Sequence, residues 1–88
     1  MVLRFKIGQY AETTHSFSTE MVEQFSIIST DINPIHLNDS YAKKTIFGEK
    51  IVHGMLIGSL FSSLIANELP GPGSVYLKQD LNFKKPVF

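Results

Sequence analysis

Asp31 and His36 stand five residues apart in the stretch Ser29-Thr30-Asp31-Ile32-Asn33-Pro34-Ile35-His36. Asn33-Pro34 forces a bend between them, because proline lacks an N–H and disfavours helical geometry at the residue before it. A carboxylate and an imidazole converging from such a loop can share one water. They can take its proton and deliver a proton to an adjacent carbon. Hydration of an activated double bond needs these two roles and no redox cofactor. The competing reading is structural: Asp31 caps a turn and His36 is an ordinary loop histidine.

A second candidate is His53-Gly54, which opens a long apolar run. The first N–H groups of a helix have no partner within it and point outward, so they can polarise a carbonyl or stabilise an enolate-like oxygen. Glycine there lets a substrate approach the backbone. Packing is the alternative, with Gly54 and Gly58 admitting close neighbours and His53 a core histidine bonded to backbone. Ser62, two turns further and buried by pattern, either bonds back to the preceding turn or reaches a bound thioester.

These groups need elements to position them. Ser18 is a plausible cap, with Glu20 in the following turn, for a helix whose Met21, Val22, Phe25 and Ile28 share one face. That helix should stop near Ser29-Thr30. Asn38 or Asp39 is placed to cap one further turn over residues 41–44. Residues 51–69 are apolar around nearly the whole helical circumference, relieved only by small residues. They predict a helix surrounded by protein, ended by Pro70-Gly71-Pro72-Gly73. Alternation predicts a strand at residues 3–7, a second within 10–17, and a third at 75–83 with Val75, Leu77, Leu81 and Phe83 on its buried face. Three strands leave much of the apolar helix uncovered. Either the chain is incomplete, or another chain supplies the cover.

Composition removes other classes of function. Lys+Arg and Asp+Glu balance at 8 each, so no basic field addresses nucleic acid or an anionic membrane. Cysteine is absent, which excludes disulfides, thiolate metal sites and Cys nucleophiles. No phosphate loop, HExxH, zinc-ligand cluster or GxSxG elbow is present, and no metal is expected. The apolar run carries His53 and three serines and is short for a membrane span. With no signal-peptide pattern at residues 1–6, the expectation is a soluble, cytoplasmic chain.

Phe25-x-x-x-Ser29-x-Asp31-x-Asn33-Pro34-x-His36 resembles the signature of the MaoC-like (R)-specific enoyl-CoA hydratases. Tyr41-Ala42, Phe47, Ile51-Val52-His53-Gly54-Met55, Leu69-Pro70-Gly71-x-Gly73-Ser74 and Phe83-x-x-Pro86-Val87 follow in that family's order. The resemblance spans nearly the whole chain and is close to the short hydratases that feed polyhydroxyalkanoate synthesis. It implies one α+β hot-dog domain over residues 1–88, a long buried central helix against a curved antiparallel sheet, usually dimeric. It implies an enoyl-CoA substrate hydrated to (R)-3-hydroxyacyl-CoA, without a cofactor. Carried onto matching positions, Asp31 and His36 activate water and supply the proton. The Gly54 N–H holds the thioester oxygen, Ser62 contacts the thioester, Asn33 shapes the loop and Ile65 walls the acyl pocket. Family members continue past the Pro86-Val87 position into further strands, so the sheet is expected to be incomplete here. A 3-hydroxyacyl dehydratase running the reverse reaction, and a non-catalytic acyl-thioester-binding domain, are the alternatives.

Overall fold

The computed structural model describes residues 5–88. Among them the ordered elements are α1 (Thr19–Ser29), α2 (Pro34–Leu37), α3 (Asp39–Lys43) and α4 (Gly54–Asn67). The strand expected at residues 3–7 falls partly outside this range; its remainder leads into a turn closed by Gln9 N–H on the Lys6 carbonyl at 3.1 Å.

Helix α1 begins as its sequence requires. The Ser18 side chain accepts from Met21 N–H at 3.2 Å, supplying one of the donors that a helix start leaves without a partner. The helix stops where Thr30 takes a left-handed φ of 61°. Its inward face is centred differently from the expectation: Val22 and Ser26 are buried while Ile28 is 82% exposed. Ser26 turns inward because its hydroxyl meets a buried imidazole, and that rotation carries Ile28 to the outside. Pro34 ends no helix but opens one, occupying the first turn of α2 where its missing N–H costs nothing. Asn38 caps α3 by accepting from Tyr41 N–H at 2.9 Å.

Helix α4 ends at the proline–glycine turn. Gly71, at a φ of 93°, donates its N–H to the Ile65 carbonyl at 2.9 Å. From there residues 75–87 run back along α4 toward its start. Leu81 lies over Gly58, Phe83 lies over Gly54, and the Val87 carbonyl accepts from Val52 N–H at 2.7 Å. A Cβ at Gly58 would sit 2.8 Å from the end of the Leu81 side chain, which would have to shift to make room. Residues 11–17 flank the adjacent face formed by Ile57, Leu60, Phe61 and Leu64. The core is small: Val22, Val52 and Leu56, with Phe17, Phe25, Leu37, Ile57 and Val87 packed on it.

Two expectations are corrected here. No strand forms among the described residues: residues 10–17 and 75–83 are extended, yet they accompany different faces of α4 and share no backbone hydrogen bond. A strand exists only when a neighbour accepts its ladder, and Val75 and Leu77 accordingly face solvent. Nor is α4 enclosed, since Leu56 and Gly58 are buried while Met55 is 62% and Phe61 46% exposed. The radius of gyration is 16.2 Å, against about 12 Å for a closed domain of this length. No helix among the described residues is long and apolar enough to cross a membrane.

Replacing Ser18 with alanine removes the α1 cap without touching the core. Urea unfolding should record a loss of about 1 kcal/mol, whereas an unchanged midpoint would mean that α1 starts without this bond.

Candidate active site

The loop between α1 and α2 is built from side chains that stand in for backbone partners. Ser29 Oγ donates to the Phe25 carbonyl at 2.7 Å and accepts from Asp31 N–H at 3.1 Å. One Asp31 carboxylate oxygen accepts from Asn33 N–H at 3.2 Å, an Asx turn. Asn33 in turn caps α2, its Oδ1 accepting from Ile35 N–H at 3.2 Å. The bend anticipated from Asn33-Pro34 is therefore a specific sequence of caps, and it carries His36 round to face Asp31.

His36 Nδ1 lies 2.8 Å from the Ile51 carbonyl. That oxygen can only accept, so Nδ1 carries the proton and neutral His36 presents the Nε2 lone pair. His53 mirrors the arrangement. Its Nε2 lies 3.1 Å from the Asp31 carbonyl and 3.2 Å from Ser26 Oγ, which assigns a proton to Nε2. The His53 ring is 1% exposed, stacks on His36 with centroids 3.8 Å apart, and meets Phe25 edge-on at 4.9 Å. Its Nδ1 is buried with no partner among the described residues.

One side-chain ligand atom each from Asp31, His36 and His53 lies within 4.8 Å of the others. The sequence spacing shows no metal site, and the stacking explains why proximity alone does not make one. Imidazole lone pairs lie in the ring plane, so two stacked rings direct them side by side and not at a common ion. The half-buried His36 and the exposed Asp31 carboxylate remain as the candidate acid–base pair. His53 precedes α4, and the first α4 N–H with an acceptor is that of Leu56, on the His53 carbonyl. The Gly54 and Met55 N–H groups have none among the described residues. A Cβ on Gly54 would approach the Phe83 ring to 3.0 Å, so a larger residue there obliges that ring to give way.

The remaining site residues lie apart from this cluster. Ser62 is exposed, not buried as its pattern suggested, because it sits past the stripe of α4 that the 75–87 arm covers. Ile65 is half-buried toward the other end of α4. A cavity of about 220 Å³ opens beside His36 between Val22, Ile51 and Val52, and an apolar cleft of about 450 Å³ runs along Ile57, Leu60 and Leu64. Phe17 borders both, and neither Ser62 nor Ile65 lines either. Sequence reasoning missed Ser26, whose burial follows only from the position of His53. It also missed Phe83 as the cover over Gly54.

A helix accompanied lengthwise by other segments, with a loop aspartate and histidine toward its N-terminal end, is compatible with the helix of a hot-dog domain, and the comparisons with known proteins supply that fold. The family model described as "MaoC like domain" matches residues 5–88, and the chain belongs to that family. It is 48% identical over 83 residues to the (R)-specific enoyl-CoA hydratase of Aeromonas caviae, covering 94% of this chain and 62% of that protein. The solved (R)-hydratase from A. caviae, involved in PHA biosynthesis, matches with a TM-score of 0.92 over 96% of this chain and 64% of that one. A 3-hydroxybutyryl-CoA dehydratase of Methylorubrum extorquens is 46% identical over 70 residues, 80% of this chain and 45% of that protein. The chain thus spans less than two thirds of the relatives it matches.

Asn33→Ala removes the α2 cap while leaving both Asp31 and His36 in place. Urea unfolding should show a loss of about 1 kcal/mol, with the amide resonances of residues 35 and 36 displaced. Unaltered resonances there would mean that Pro34 alone sets the turn.

Proposed function

We propose that this chain adds water to trans-2-enoyl-CoA, giving (R)-3-hydroxyacyl-CoA. The observation that carries the reading is His36 held through Nδ1 by the Ile51 carbonyl, with a ring nitrogen within 4.8 Å of an Asp31 carboxylate oxygen. A water held between them gives up one proton to the pair as its oxygen bonds to C3. The C2–C3 π electrons move toward the thioester carbonyl, and the enolate oxygen is received by the Gly54 N–H at the start of α4. The pair then returns one proton to C2, so its protonation state is restored after each turnover. Asn33 keeps the loop in shape through its cap on α2. Ser62 and Ile65 extend the contact surface along α4, Ser62 toward the thioester and Ile65 toward the acyl chain. A second copy of the chain is the natural cover for the exposed Met55 and Phe61, which makes a homodimer part of the proposal.

The same pair catalyses the reverse elimination, and similarity to a protein named as a 3-hydroxybutyryl-CoA dehydratase favours keeping that direction as the second reading. Comparing turnover of enoyl and 3-hydroxyacyl thioesters, on CoA and on carrier protein, separates the two.

The decisive experiment follows loss of the conjugated thioester of crotonyl-CoA. The unsubstituted chain should give the (R)-alcohol. Asp31→Asn and His36→Ala should each lower kcat/KM by at least about 100-fold while leaving the chain folded. Full activity in either variant would sink the two-residue mechanism. Binding without turnover by the unsubstituted chain would instead leave a thioester-binding domain.

A further inference from the structure

The feature that the proposed chemistry does not absorb is His53. It is the most deeply buried large side chain, yet it suits neither of the ordinary reasons for being there. As a core filler it is poor, because its Nδ1 is buried without a partner among the described residues, a cost that an apolar ring would avoid. As the residue preceding α4 it is also poor, since its side chain makes no capping bond where serine or aspartate would. What it does make is a set of contacts to three segments. Nε2 reaches the Asp31 carbonyl and Ser26 Oγ, and its ring lies between Phe25 and His36.

We infer that His53 is a positioning residue for the acid–base pair: its Nε2–H fixes the Asp31 backbone and thereby the direction of the Asp31 carboxylate. This rests on the hydratase reading for its catalytic consequence, but not for its structural one. No other hydrogen bond engages the Asp31 carbonyl among the described residues, because the loop's other bonds reach Asp31 through its N–H and its carboxylate. Donation from His53 holds it in place. Stacking on His36 then sets the second member of the pair at a constant separation from the first.

Two substitutions separate positioning from packing. His53→Phe keeps the ring and improves the apolar fit but deletes the donor. His53→Gln places an amide N–H near the former Nε2 and deletes the ring. A positioning role predicts that His53→Phe loses about tenfold or more in kcat at nearly constant KM, despite a stability equal to or above that of the parent chain, while His53→Gln stays within about fivefold. A packing role predicts the opposite order and would overturn the inference. Amide hydrogen exchange at Asn33, whose N–H bonds to the Asp31 carboxylate, gives a readout that needs no turnover. Exchange there should accelerate in His53→Phe and remain near the parent rate in His53→Gln. Equal exchange in His53→Phe and the parent would overturn the inference even in a fully active enzyme. Accelerated exchange in a chain that hydrates nothing would uphold it while the hydratase reading fell.

Discussion

The site depends on a reciprocal pair of imidazole–carbonyl bonds. His36, from the α2 segment, donates to the Ile51 carbonyl just before α4, and His53, at the α4 start, donates to the Asp31 carbonyl just before α2. Each segment therefore supplies both a ring and the carbonyl that orients the other's ring. The two rings stack between them. A backbone bond from Ile51 N–H to the Ile35 carbonyl at 3.2 Å closes the same junction. Neither histidine can rotate without breaking a bond that holds the opposite strand of the loop, so the tautomer of His36 is a property of the junction.

The glycines of α4 work on a different constraint. Gly54 and Gly58 lie one turn apart, and each is filled by a side chain of the returning arm, Phe83 on one and Leu81 on the other. A Cβ at either position would oblige the Leu81 or Phe83 side chain to shift. Phe83 packs on the same glycine whose N–H has no acceptor among the described residues, so the start of α4 and the seating of the arm are linked.

Much of this was legible in the chain itself. Ser18, Asn38 and the proline–glycine turn announce their elements by side-chain chemistry that acts over three or four residues, and each acts as its type predicts. The break after Ser29 was equally local. What could not be read were features set by distant partners. Ser26 looks like any helical serine until His53 arrives beside it from residue 53. The alternation at residues 75–83 encodes readiness to pair, but a pleated segment acquires hydrogen bonds only from a neighbour, and the other extended segment accompanies a different face of α4. Pattern also overstated the burial of α4, since hydrophobic circumference reports a demand for cover and not its source.

These two kinds of contact divide the molecule by function. The bonds that orient Asp31 and His36 join residues between 25 and 53, through caps, backbone carbonyls and two stacked rings, while the approach to α4 is also tied to the arm by Val52 N–H on the Val87 carbonyl. None of them runs through a sheet. Along α4 beyond Gly58, by contrast, Phe61 and Ser62 are open. The caps within the loop are local, but the junction that brings Asp31, His36 and His53 together is closed by bonds spanning 15 and 22 residues, so it carries a larger loop-closure cost than the caps do. Under the proposed chemistry the same pair serves hydration and dehydration alike, because each direction retraces the proton transfers of the other.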